Sequence, residues 1–134
     1  MVFGIVLIFL MIFIQAYWSM FPCSDKSVLS PLEFSYKVDT AVKSVFATTV
    51  FIIIYFLTIK IDAFKKVQNF ILFTVLLYLF FYVNKSIFIE RIASWSTYST
   101  SEINYYTFHC SYLQIFIFGA LFMIIFIFYK KYKI

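Results

Sequence analysis

The sequence carries very little charge, and the charge it has is confined to short segments. No charged side chain occurs in residues 1–24, 44–59, 67–84 or 103–129. Bilayer hydrocarbon is about 30 Å thick, and a helix needs about 20 apolar residues to cross it. Backbone polar groups find no water there, so a spanning segment must satisfy them as a helix. The pattern predicts an all-α, polytopic membrane protein with four transmembrane helices.

The side chains that most enzymes and transporters need are also scarce. The chain has 6 acidic residues, one histidine and 2 glycines. No acid lies inside a predicted span, which argues against a proton-coupled transporter, because such pathways expose a buried ionisable residue. Glycine-rich phosphate loops, the G-x-S-x-G motif and carboxylates at catalytic spacing are missing as well. We therefore expect no enzyme activity and no catalytic residue.

The predicted helices run over about 2–20, 40–59, 67–82 and 106–129, in a single membrane domain. The first lacks the positive n-region and A-x-A site of a cleaved signal peptide, so it is expected to remain as a helix. Within the long third connection, residues 86–92 are amphipathic and are predicted to lie along the membrane interface.

The lysines predict the orientation. Three lie in the connector 60–66 and three in the tail 130–133, whereas the other two connections balance acids and bases. Cytoplasmic loops carry an excess of Lys and Arg. Both termini and the short connector are therefore predicted on the cytoplasmic side, or on the matrix side of an organelle. Because these lysines flank helices and face lipid headgroups, no nucleic-acid partner is expected.

Cys23 and Cys110 are the only cysteines, and they form no C-x-x-C motif. In the predicted topology both lie at outer helix ends, in helices one and four, where the compartment permits disulfides. A disulfide there would need Cα atoms within about 7 Å of each other. Two free thiols, each packed as a small hydrophobe, are the alternative.

His109 stands at the predicted outer start of helix four, beside Cys110. A haem held by two histidines is excluded because a second histidine is missing. A metal site would need His109 together with acids or both cysteines. We interpret His109 as an interfacial histidine bonded to a loop carbonyl, and we expect no metal and no cofactor other than bound membrane lipids.

One face of the second helix carries small and hydroxyl-bearing side chains, at Thr40, Ser44, Ala47 and Thr48. Small residues let membrane helices approach closely, and hydroxyls can then bond to a neighbouring backbone. This face is predicted to pack within the bundle or against a neighbouring protein. Phe and Ile cover the other helices on all sides, which suits lipid contact or burial among other membrane subunits.

Residues 31–61 resemble part of a known family. The dipeptide PL at 31–32 is followed by D-x-x-x-K-S at 39–44 and by an apolar helix that ends in YFLTIKI at 55–61. This stretch resembles the second helix of A-type immunity proteins against pore-forming colicins. The resemblance implies a four-helix inner-membrane protein with cytoplasmic termini that meets the toxin's helices in the bilayer. It also implies that Asp39 and Lys43 face the arriving toxin.

Two main hypotheses of function follow. Many Phe, Tyr and Ile residues with one arginine indicate an AT-rich gene of a bacterium, plasmid or organelle. The first hypothesis is a non-catalytic subunit of an energy-transducing complex, of respiratory-chain or ATP synthase type, in the mitochondrial inner membrane. Its partners would be other integral membrane subunits. The alternative is a colicin-type immunity protein of the bacterial inner membrane, with a pore-forming toxin as its partner. A small channel or holin ranks third.

Overall fold

The computed structural model describes residues 2–23, 33–61, 67–91 and 98–132. Within these ranges the chain is almost entirely helical and contains no strand. Four helices follow one another: α1 (Val2–Met20), α2 (Glu33–Lys60), α3 (Gln68–Arg91) and α4 (Thr100–Tyr132). Three of them, α2, α3 and α4, are long and apolar enough to cross a membrane, and α1 is a shorter apolar helix. The prediction of an all-α chain with four helices is confirmed, and three of the four predicted spans have the length and apolar character to cross a membrane.

Three of the four helices are longer than the sequence predicted. The first helix has its predicted bounds of 2–20, but α2 begins at Glu33 instead of 40, and α4 begins at Thr100 instead of 106. The predicted bounds followed the uncharged runs, and these extensions carry charged residues. The extensions are nevertheless helical because part of each packs on the bundle: the Tyr36 side chain is fully buried, and Ile103 packs against the core.

The predicted interfacial segment at 86–92 is wrong. Instead of ending near 82, α3 continues without a break to Arg91. Ile87 and Phe88 are both buried, so the apolar side of this stretch packs against the other helices and not against headgroups.

A reciprocal cap explains where α4 starts. The Ser99 backbone N–H donates to the Glu102 carboxylate over 2.8 Å, and the Glu102 backbone N–H donates to the Ser99 hydroxyl over 3.4 Å. This is the capping box, in which a serine and the acid three residues later satisfy each other's free backbone donors. The S-x-x-E motif therefore begins the helix ahead of its apolar run.

The four helices form an antiparallel bundle in which α1 and α3 each contact all the other helices. Consecutive helices pack on each other, and α1 also contacts α3 and α4. The core includes Ile12 and Ala16 of α1 and Leu76 and Phe80 of α3, all shielded from solvent. At the contact of α3 with α4, a Cβ atom at Gly119 would lie 2.8 Å from a methyl carbon of Leu77, so a larger residue at this position would require the Leu77 side chain to move.

Candidate functional site

The ion pairs, the disulfide and several buried hydrogen-bonded side chains of the described chain lie at one end of the bundle. The end of α1, the start of α2, the end of α3 and the start of α4 meet there. Cys23, just after α1, is joined by a disulfide to Cys110 of α4, with 6.3 Å between the Cα atoms. The bond lies within the reach expected for a disulfide and leaves neither cysteine as a free thiol. We call this region the disulfide end.

A three-residue ion cluster ties α2 to α3 at the disulfide end. The Lys43 ammonium lies 2.6 Å from the Asp39 carboxylate, one turn earlier on α2. The same ammonium also binds the carboxylate of Glu90, near the end of α3. The Lys43 side chain is only 14% exposed, whereas that of Glu90 is 54% exposed. Shielding from water strengthens such pairs relative to fully exposed ones.

A buried polar cluster links α1 to α3 beneath this surface. The Ser19 hydroxyl is 3.0 Å from Oδ1 of Asn84 and 2.9 Å from the carbonyl oxygen of Gln15, while the Gln15 amide donates to Ser19 Oγ over 3.3 Å. All three side chains are almost fully buried. Because nothing in lipid can replace these partners, the Ser19–Asn84 bond favours the observed register of α1 against α3.

The small face of α2 lies inside the bundle. Thr40, Ser44, Ala47 and Thr48 are all buried. We expected the hydroxyls to bond to the backbone of a neighbouring helix, but they do not. Thr40, Ser44 and Thr48 each donate to the carbonyl oxygen four residues earlier in α2 itself, over 2.7–2.8 Å. Each hydroxyl reaches its own helix more easily, so the face contributes close packing and not interhelical bonds.

His109 lies on an exposed part of α4, with its ring stacked on that of Tyr105 at 6.2 Å between centroids. No three His, Cys, Asp or Glu side chains come together to hold a metal within the described residues. The disulfide end therefore presents a partly shielded ion cluster beside the disulfide that joins Cys23 to α4.

The sequence placed Asp39 and Lys43 together but missed Glu90, which comes from 47 residues further along the chain. It also missed the pairing of Ser19 with Asn84. No local signal marks either contact, because both depend on how α1, α2 and α3 pack. The predicted lysine-rich connector lies mostly outside the described residues, as does the end of the tail.

No known protein family, no curated protein and no solved structure matches this chain. The resemblance to colicin immunity proteins therefore rests on residues 31–61 alone.

Proposed function

We propose that this protein is a non-catalytic integral-membrane binding protein, of the class that protects a bacterial cell from a pore-forming toxin. The observation that carries the proposal is the Lys43 cluster at the disulfide end. Asp39 and Lys43 are the residues that the resemblance places toward an arriving toxin. Glu90 and the disulfide hold that same surface in one arrangement.

Several contacts within the chain join the helices of the bundle to one another. The small face of α2, the best sequence candidate for docking on a neighbouring subunit, is occupied by internal packing. The disulfide joins the first helix to the last, and the buried polar cluster joins α1 to α3. A protein that works alone in the bilayer needs such internal connections, which favours a stand-alone binding protein over a dependent subunit.

For the topology we propose four spans with the disulfide end outside. A helix of 19 residues is about 28 Å long, close to the hydrocarbon thickness, so α1 has the length of a fourth span. The end of α2 at Lys60 and the start of α3 at Gln68 lie at the opposite end of the bundle, and the lysines of the connector between them and of the tail lead us to assign that end to the cytoplasm. Disulfides form in the bacterial periplasm and not in the cytosol, which agrees with this orientation.

Labelling in intact cells tests the orientation. A single cysteine would be introduced at Ser101 or at Lys60 in a Cys23→Ala/Cys110→Ala background, and exposed to a membrane-impermeant thiol reagent. We expect rapid labelling at 101 and labelling at 60 only after the cells are opened. Labelling of position 60 in intact cells would contradict the topology.

Protection assays test the function. Sensitive cells that express the chain would be challenged with a panel of pore-forming bacteriocins, and survival and membrane potential would be measured. We expect protection against at least one toxin. We expect less protection in Lys43→Gln, because this change removes the positive charge that binds the carboxylates of Asp39 and Glu90. Lys60→Gln is the matched control, since it removes an exposed lysine from the other end of α2. If cells that produce the wild-type chain are killed by every toxin in the panel, the proposal is refuted.

A structural subunit of a larger membrane complex is the second candidate, and the surface of α4 favours it. Large apolar side chains stand exposed along this helix, among them Phe108, Leu113, Phe116 and Ile127. Lipid or neighbouring subunits can cover such a surface. Purification in a mild detergent separates the candidates: a stoichiometric set of membrane proteins, retained equally by wild type and Lys43→Gln, would support the subunit role in a respiratory or ATP synthase type complex.

A further inference from the structure

A surface groove follows the second half of α3 up to the disulfide end. It has a volume of about 390 Å³, and α4 contributes Asn104 to its wall. Tyr78 and Tyr82 lie at one end, and Lys85, Ser86 and Glu90 lie toward the other. The groove is therefore apolar toward the middle of the bundle and polar toward the end of α3.

The dimensions of the groove match one leaflet of a bilayer. Residues 78 to 90 of a helix extend over about 18 Å. Half of the hydrocarbon layer is about 15 Å thick, and the headgroup region begins beyond it. The rings of Tyr78 and Tyr82 stack at 6.5 Å between centroids and give the inner part a flat aromatic wall, against which an acyl chain can pack.

The polar end of the groove offers one cation and one anion. Lys85 makes no hydrogen bond or ion pair with any residue in the ranges that the structure describes. Next to it, the Glu90 carboxylate binds the Lys43 ammonium and is still 54% exposed, so it remains accessible to a further hydrogen-bond donor. An incoming phosphate is attracted to Lys85, and an incoming ammonium is attracted to the carboxylates.

We propose that this groove binds one phosphatidylethanolamine molecule from the leaflet at the disulfide end. Its phosphate binds Lys85, its ammonium donates to the Glu90 carboxylate, and one acyl chain lies along Tyr82 and Tyr78. A purely anionic headgroup would gain the same contact with Lys85 but would bring a second negative charge toward Glu90. A choline headgroup keeps its positive charge but has no N–H to donate. The proposal does not depend on the protective function.

Native mass spectrometry of the delipidated protein tests this site. The protein in detergent would be titrated with phosphatidylethanolamine, phosphatidylglycerol and phosphatidylcholine that carry identical acyl chains. We expect one bound molecule, with phosphatidylethanolamine preferred about tenfold over the other two, as for a charged hydrogen bond gained or lost. Equal or tighter binding of phosphatidylglycerol would overturn the proposal, because it would indicate simple attraction of anions to lysine.

Two variants test the roles of Lys85 and Glu90 in lipid binding separately. Lys85→Gln should weaken phosphatidylethanolamine binding about tenfold, the loss of a single charged contact, without lowering the melting temperature, since Lys85 has no partner among the described residues to lose. Glu90→Gln should abolish the preference over phosphatidylglycerol. Lys37→Gln is the control, because it removes a lysine at the same end of the bundle but outside the groove. Unchanged lipid binding in Lys85→Gln would place the lipid elsewhere and overturn the assignment.

Discussion

Reduction of the disulfide is expected to lower the stability of this protein more than any single side-chain change at the disulfide end. Cys23 and Cys110 are 87 residues apart in the sequence, and they connect α1 to α4. A cross-link that closes so long a loop lowers the conformational entropy of the unfolded state, and it typically adds about 2–4 kcal/mol to the free energy of unfolding. We expect a clear drop in the melting temperature of the detergent-solubilised protein when a reductant is added.

The Cys23→Ser/Cys110→Ser double variant supplies the control for this experiment. It should melt at the temperature of the reduced wild type, and it should not respond to the reductant. A wild-type melting temperature that is the same with and without reductant would mean that helix packing alone joins α1 to α4. In that case the disulfide would have no structural role at this end of the bundle.

The number and type of helices follow from the sequence because lipid imposes a simple physical rule. A charged side chain is costly in hydrocarbon, so the uncharged runs mark the embedded segments. The rule defines the part of a helix that lies in lipid and not where the helix itself ends. The region around Lys85 and Glu90 illustrates this difference, because α3 passes through both charges and still packs Ile87 and Phe88 in the bundle.

The site was predictable only where its residues are neighbours along the chain. Asp39 and Lys43 are one helical turn apart, so their pairing follows from helix geometry. The start of α4 carried a local signal too, in the capping pair Ser99 and Glu102. Glu90 reaches Lys43 only because α2 and α3 pack side by side, and one sequence gives no measure of that distance.

Introduction of a bulky side chain at position 47 is expected to have the second largest effect. Ala47 is fully buried on α2, between the buried side chains of Ser44 and Phe51. One turn further along, the Phe51 ring meets that of Phe122 on α4 edge to face, at 6.0 Å between centroids. A phenylalanine at position 47 must push the neighbouring helices apart, and overpacking of this kind costs about 1–3 kcal/mol.

Ala120→Phe is the matched control for Ala47→Phe, because Ala120 lies on an exposed part of α4. The same chemical change there only adds an apolar ring to a surface that faces lipid. Lipid tails are as apolar as the bundle interior, so the association of these helices depends on the fit between their surfaces. We therefore expect Ala47→Phe to lower the melting temperature in detergent and Ala120→Phe to leave it nearly unchanged. Equal melting temperatures for the two variants would show that the small face of α2 is not a packing surface.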